Sequence, residues 1–110
     1  MKKFKLGDMV VIATKGLQYS TDGFAMAAAS EKEDTMVIFE EINIHTYPST
    51  NDFNGYCINV KEGDVAIILR HVGRPERVKR DPAWFKYDIY EIFVRGTRCQ
   101  VFRQNIKKPK

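Results

Sequence analysis

The stretch "KYDIYEIFVRGTRCQVF", residues 86–102, indicates the fold most clearly. Two sets of side chains alternate along its first half, one at Tyr90, Ile92 and Val94 and the other at Ile89, Glu91 and Phe93. A period of two is typical of a β-strand. Gly96 supplies a tight turn, and 98–102 returns as the next strand. Residues 103–106 fit a single 3₁₀ turn, and 107–110 are predicted to be a frayed basic tail.

Four further segments have the composition of short strands: 5–12, 35–44, 56–60 and 63–69. They are rich in β-branched and aromatic residues and are too short to favour a helix. Gly-Asp dipeptides supply turn chemistry in the first and the last of them. The surrounding stretches, "LGDMVVIATKG" (6–16) and "EGDVAIILRHVG" (62–73), are interpreted as two similar strand entries rather than as a repeat. The pattern predicts an all-β fold of five to six short strands.

The region of about 17–56 is harder to interpret, and the strand expected at 35–44 falls within it. Asp22-Gly23 marks a turn in its first part. The Ala-rich stretch 25–34 has helical propensity, so a short helix is one expectation there and a tightly packed strand is the other.

Length and composition indicate a single globular domain over residues 1–110. Hydrophobic residues make up 44% of the chain and charged residues 29%, which is the balance of a folded protein. No apolar run approaches the roughly 20 residues of a membrane helix, and the N-terminus lacks the apolar core of a secretory signal. We therefore expect a cytoplasmic protein without membrane contact.

The order of elements from Gly63 onward is a Gly-Asp strand, a long loop, a strand, a Gly turn, a strand and one helical turn. The residues in this order are "GDVAIIL" (63–69), "YEIFVRG" (90–96) and "CQVFRQNI" (99–106), and "KLGDMVVI" (5–12) fits an opening strand. The chain in this respect resembles the small SH3-like barrels of bacteria and their phages. The resemblance implies a barrel or roll in which the segment of about 17–56 is a long inserted loop. It also implies a module that binds peptides, nucleic acid or neighbouring subunits.

The motifs of several chemistries are absent from the sequence. It contains no P-loop and no Gly-rich dinucleotide motif. His45 and His71 are far apart and have no close Cys partner, so no zinc site is expected. Cys57 and Cys99 do not form a C-x-x-C pair and are interpreted as reduced thiols. We expect a protein that is not an enzyme and that needs neither a cofactor nor a metal.

Charge is distributed unevenly between the two halves of the chain. Residues 1–60 have a formal net charge of −3, whereas residues 61–110 have +7. The candidate binding residues lie in the basic half: Arg70, Arg74, Arg77, Lys79, Arg80, Trp84, Lys86, Arg95, Arg98 and Arg103. Arginine forks and aromatic rings in one region are typical of surfaces that recognise anions or stack on bases. Glu91 is expected to pair with Arg98 or Arg103 across the strands.

Two functions fit this basic 70–103 face. The first is a protein-interaction or assembly module that meets an acidic protein surface through the basic face and a groove near Trp84, Tyr87 and Tyr90. Assembly into homo-oligomers belongs to this hypothesis. The alternative is a DNA- or RNA-binding protein that uses the same residues, mainly through phosphate contacts.

Overall fold

The structure is a computed structural model that describes residues 4–13, 35–47, 52–78 and 84–109. Within these ranges it has seven β-strands, three short 3₁₀ turns and no α-helix. The strands are β1 (Met9–Ile12), β2 (Thr35–Ile42), β3 (Phe53–Lys61), β4 (Val65–Gly73), β5 (Ile89–Val94), β6 (Thr97–Phe102) and β7 (Ile106–Lys107). The 3₁₀ turns are Glu76–Val78, Trp84–Tyr87 and Arg103–Asn105.

The strands form one curled antiparallel sheet in the order β3-β2-β6-β5-β4-β1-β7, so the all-β prediction is confirmed. At its centre, β5 and β6 pair from Ile89↔Phe102 to Val94↔Thr97. This is the hairpin that the stretch 86–102 predicts. The 3₁₀ turn expected within 103–106 is also present.

In the described part of 17–56 the strand expected at 35–44 is confirmed as β2, but the description of the segment as an inserted loop is wrong. There β2 and β3 form a hairpin that pairs from Thr35↔Lys61 to Ile42↔Phe53. The hairpin joins the sheet where β2 pairs with β6 at Phe39↔Gln100. The described chain therefore has seven strands rather than five to six. The β-prone run 37–39 has the composition to extend the edge that β6 offers. The helix or strand expected at 25–34 lies outside the described residues.

A β-bulge explains why β3 begins at Phe53 rather than at the predicted position 56. The pairing of β2 with β3 shifts by one residue between Phe39 and Glu41. Gly55 lies at this shift with a φ of 83°, and a Cβ there would overlap the Glu40 side chain. A bulge with glycine in a left-handed conformation lets the strand continue through a sequence that looks like a loop.

The inner face of the sheet buries the main core. Its members include Phe4, Val10, Ile12, Ile38, Val60, Ile68, Tyr90, Ile92, Val94 and Val101. The rings of Phe4 and Tyr90 meet edge to face at 5.6 Å between centroids, and the Phe4 backbone N–H donates to the Tyr90 hydroxyl. Fully burying an aliphatic or aromatic side chain contributes about 1.5–3 kcal/mol, so this face is the principal source of stability.

One end of the outer face is covered by a second apolar cluster. Ile42, Tyr47, Ile89 and Phe102 are buried there, and Ile44, Phe53, Val72, Val78 and Tyr87 pack against them. Ile89 and Phe102 are cross-strand partners and alternate with the core residues of their strands. The sheet therefore has apolar side chains on both faces at this end. A sheet with one face in solvent would instead alternate apolar and polar residues along each strand.

The two Gly-Asp turns have the same backbone geometry. Gly7 and Gly63 have φ values of 87° and 89°. In the first turn the Lys5 N–H donates to the Asp8 carboxylate at 2.8 Å, and in the second the Lys61 N–H donates to Asp64 at 2.9 Å. Each aspartate thus caps the turn that leads into its strand.

The strands that follow these turns pair with each other about a local two-fold axis. The register of β1 with β4 is Met9↔Ile67, Val10↔Ala66 and Val11↔Val65. The hydrogen bonds at the two ends of the pair correspond as well: the Gly7 N–H donates to the Ile68 carbonyl and the Gly63 N–H to the Ile12 carbonyl, both at 2.8 Å. The two similar stretches 6–16 and 62–73 therefore form equivalent turns at opposite ends of one strand pair.

Candidate interaction surface

Most of the predicted basic residues that the structure describes are held by other side chains. Three of the arginines form ion pairs: Arg70 with Glu91 at 3.3 Å, Arg74 with Asp88 at 3.0 Å and Arg95 with Asp64 at 3.4 Å. The Asp88 carboxylate is buried and also lies 3.6 Å from His71. Each of the three cations is therefore paired with a different carboxylate.

Two further members of the set lie over aromatic rings. The Arg103 guanidinium is 4.2 Å from the centroid of the Phe4 ring, and the Lys86 ammonium is 5.0 Å from that of Tyr87. A cation at this distance from a ring face is attracted by its quadrupole. Arg103 therefore packs against the entry of β1, and Lys86 remains beside the second apolar cluster.

Arg77 and Arg98 are exposed, and in the described part of the chain no carboxylate lies within ion-pair distance of either. Lys79 and Arg80 lie outside the described residues. Trp84 begins a 3₁₀ turn, but its side chain is likewise not described.

Tyr90 cannot line a groove near Trp84, which corrects the sequence interpretation. Its side chain is 0% exposed, and burial raises the pKa of its hydroxyl. Tyr87 is half-buried, with its ring 5.9 Å from that of Tyr47 and 6.0 Å from that of Phe102. Both tyrosines are therefore part of the packing of the sheet.

Glu91 pairs with a different residue from the two expected. It lies directly opposite Arg70 in the register of β4 with β5, whereas Arg98 lies opposite Phe93. Gln100 is the partner of Glu91 on β6, and its amide nitrogen lies 3.5 Å from the Glu91 carboxylate. The register of β4 with β5 shifts between Ile68 and Arg70, which places Arg70 opposite Glu91. The expectation failed because a single sequence reveals neither this shift nor the order of the strands.

The outer face exposes an apolar row that sequence reasoning missed. Three side chains on neighbouring strands lie side by side, since Met9 pairs with Ile67 and Ile67 pairs with Phe93. Their exposed fractions are 55%, 42% and 46%, and Val65, two positions from Ile67, is 56% exposed. The next position in the row is Arg98, the partner of Phe93. We call Met9, Val65, Ile67, Phe93 and Arg98 the outer row.

The outer row has a polar row of side chains beside it and a groove at its Met9 end. The neighbouring row consists of Arg70, Glu91 and Gln100, which are in register on β4, β5 and β6. Beyond Met9 an open groove of about 230 Å³ is lined by Phe4, Asp8, Met9, Lys108 and Pro109. The signal for this surface was present in the sequence, because Ile67 and Phe93 are apolar at positions that alternate with core residues.

A small cavity lies under β2 and β6. It has a volume of about 10 Å³ and is lined mainly by apolar side chains together with Gln100 and Asn105. This is the room of about one water molecule and far below that of a ligand pocket. Asn105 is fully buried, and neither atom of its amide has a hydrogen-bond partner among the residues that the structure describes.

The two thiols differ in exposure. Cys57 is exposed on β3, and Cys99 is buried on β6. Burial raises the pKa of the Cys99 thiol from 9.0 to about 12, and the Glu91 carboxylate adds to the shift. Cys99 is therefore protonated at neutral pH and does not form the thiolate that a nucleophile requires.

Among the residues that the structure describes, no group of three or more His, Cys, Asp or Glu side chains is placed to hold a metal ion. None of the helical segments described is long and apolar enough to cross a membrane. Comparison with models of protein families, with curated proteins and with solved structures finds no match to this chain.

Proposed function

We propose that this chain is a non-enzymatic protein-interaction module that docks on an acidic protein surface through the outer row. The observation that supports this most directly is the register of Met9, Ile67 and Phe93, which lines up three exposed apolar side chains and ends on Arg98. Contiguous exposed apolar patches on a folded domain mark interaction sites more often than isolated apolar residues do.

Phe93 is the natural anchor of such a contact. It lies in the middle of the sheet on β5, between Ile67 and Arg98, and about half of its surface is exposed. Aromatic side chains at the centre of an interface and arginines beside them contribute a large share of binding energy. Covering the exposed half of a side chain of this size stabilises a complex by about 1 kcal/mol through apolar burial alone.

The charges around the outer row favour an acidic partner. Asp8 and Asp64 at the strand entries accept hydrogen bonds from backbone N–H groups, and Asp64 also holds Arg95. Arg98 is exposed at the end of the row, and Arg70 is 57% exposed although it pairs with Glu91. A partner that presents carboxylates beside apolar side chains would complement both features.

Nucleic-acid binding remains the alternative, and the net charge of +7 over residues 61–110 supports it. The ion pairs weigh against it. Phosphate contacts by Arg70, Arg74 and Arg95 would have to compete with the carboxylates that these residues already hold. Lys79, Arg80 and Trp84 belong to the proposed binding set through their place in the sequence alone.

For the fold we propose the SH3-like barrel class. The order of the described elements supports it, since a Gly-Asp turn, β4, a long connection, β5, a Gly turn, β6, a 3₁₀ turn and β7 follow one another. The first strand lies between β4 and the last strand β7. A cytoplasmic location fits the exposed unpaired thiol of Cys57, because reducing compartments keep such thiols free.

The test uses Phe93→Glu and Arg98→Glu, with Phe85→Glu as the matched control. Phe85 is also an exposed phenylalanine, but it lies in the Trp84–Tyr87 turn and outside the row. Proteins retained by the immobilised wild-type chain are purified, and their affinities for all four chains are measured beside those of fluorescent DNA and RNA oligonucleotides. We expect the retained proteins to be acidic. Their affinity for both row variants should be about tenfold or more below that for the wild type, and their affinity for Phe85→Glu should be unchanged.

Two results would reject the proposal. The first is a retained protein that binds Phe93→Glu as tightly as it binds the wild type. The second is tight oligonucleotide binding that weakens steeply with added salt, which would establish the nucleic-acid alternative instead.

A further inference from the structure

The two edges of the described sheet differ in length. β7 ends one side with two residues, whereas β3 ends the other with nine. Within the described ranges β3 pairs with β2 alone, so no strand there meets the outward N–H and C=O groups of β3. Proteins shorten, charge or cover such edges to prevent pairing with other chains. The β7 edge is protected by its shortness, whereas no strand of the described residues pairs with the outer side of β3.

The regular part of the β3 edge is 57–61, because the bulge at Gly55 interrupts the strand before it. Its sequence, CINVK, has two β-branched residues, no proline and a single charge at Lys61. Val60 is fully buried, but Ile58 on the same face is only half-buried. The edge therefore leaves part of Ile58 exposed beside backbone groups that no described strand meets. This composition is typical of a segment that pairs with other strands.

We propose that a second copy of this chain pairs with this edge, antiparallel and centred on Asn59. The hydrophobic pattern fixes this register. Centred on Asn59, the pair places Ile58 opposite Val60 of the partner subunit, and the reverse contact follows from the two-fold symmetry. A centre at Ile58 would bring Val60 against the bulged position 56 of the other copy. A centre at Val60 would leave only three residues of strand to pair.

Charge is compatible with self-pairing in this register. Lys61 faces Cys57 of the partner subunit in this register, so the two lysines do not lie opposite each other. The two Lys61 positions are then about 13 Å apart along the strands, since a strand rises about 3.3 Å per residue. No like charges meet directly. Because the contact is isologous, it closes at two copies and does not extend into a fibre.

The experiment is disulfide trapping in a Cys57→Ser background. Asn59→Cys places two thiols opposite each other, with Cα atoms about 4.5–5.5 Å apart, which is within the range of a disulfide. Lys61→Cys is the matched control, because its counterpart would be about 13 Å away. The buried Cys99, whose thiol pKa is about 12, does not contribute. We expect the covalent dimer to form with Asn59→Cys about tenfold or more faster than with the control.

Equal rates for the two variants would reflect random collision and would overturn the proposal, as would the absence of a dimer in both. The solution mass over a concentration series gives a second readout. The wild type is expected to dimerise and Ile58→Lys to remain monomeric, with its fold checked by circular dichroism. Phe93→Lys should dimerise like the wild type. Loss of the dimer in Phe93→Lys alone would assign self-association to the outer row and reject the β3 edge.

Discussion

The two Gly-Asp turns have the same backbone structure in different surroundings. The residues 5–8 and 61–64 share the pattern Lys-x-Gly-Asp, the positive φ of glycine and the hydrogen bond from the lysine N–H to the aspartate. In the second turn Asp64 also holds Arg95, and Glu62 holds Lys107 at 3.2 Å. In the first turn the position of Glu62 is taken by Leu6, which is 75% exposed.

The difference shows that the Lys-x-Gly-Asp residues determine the backbone of the turn, whereas the neighbouring strands determine which side chains contact it. The local bonds are identical to within about 0.1 Å. The second turn lies beside the β5–β6 connection and next to β7, so it acquires ionic partners. The first turn instead leads into Met9, the first apolar member of the outer row. Variants at equivalent positions can test how far this equivalence extends.

The largest effects are expected at the local two-fold axis, where Val10 and Ala66 face each other. Both are buried, so Val10→Ala should cost about 2–3 kcal/mol through a cavity, and Ala66→Val about 1–3 kcal/mol through overpacking. The double variant exchanges the two side chains across the axis and restores their total volume. We expect it to cost at least about 1 kcal/mol less than the sum of the single variants in urea unfolding.

Val101→Ala combined with Ala66→Val is the control for this exchange. Val101 is a buried valine on β6, two strands away from β4. Because the two sites are not cross-strand partners, their costs should add. Additive costs in Val10→Ala/Ala66→Val as well would show that the two halves of the β1–β4 pair do not share a common packing site.

The sequence predicts those parts of the fold whose determinants are local. The 86–102 hairpin and the turn near 103–106 follow from strict alternation and from turn residues within a few positions of one another. The β2–β3 hairpin was only half predicted, because its length depends on a bulge at Gly55 that fits around Glu40. A glycine in a strand and a glycine in a loop look the same in one sequence.

The candidate surface was less predictable for the same reason. Charge composition identified the arginines, but it could not show that Arg70, Arg74 and Arg95 already hold carboxylates from other elements. The outer row depends on the register of three strand pairs, which brings Met9 beside residues far away in the chain. Only the apolar character of Ile67 and Phe93 was visible beforehand.

The next largest effects are expected from the two turn glycines. A Cβ at Gly7 or Gly63 meets nothing within 4 Å, so only backbone strain remains. Gly7→Ala and Gly63→Ala should therefore each cost about 1–2 kcal/mol in urea unfolding. Replacement by asparagine, which tolerates positive φ better, should cost less at both sites. A difference between the two alanine variants of more than about 1 kcal/mol would contradict the equivalence of the turns.

The two aspartates should separate the shared bond from the added ion pair. Asp8→Ala loses the hydrogen bond from the Lys5 N–H and should cost about 1 kcal/mol. Asp64→Ala loses the equivalent bond and the Arg95 contact, which at this exposure adds about 0.5 kcal/mol. In an Arg95→Gln background the two costs should become equal. A persistent difference there would mean that the turns differ in their own backbone bonds.

The smallest effects are expected at the position where the two turns differ in sequence. Leu6→Glu should change the free energy of unfolding by less than about 0.5 kcal/mol, because most of Leu6 is exposed already. Glu62→Leu loses the contact with Lys107 and should cost about 0.5 kcal/mol. Since the two positions lie at opposite ends of the β1–β4 pair, the double exchange should be additive, unlike the exchange at the axis. A non-additive free energy of unfolding in the double variant would show that the two turns are energetically coupled through the strands. The four residues of each turn would then not determine its stability on their own.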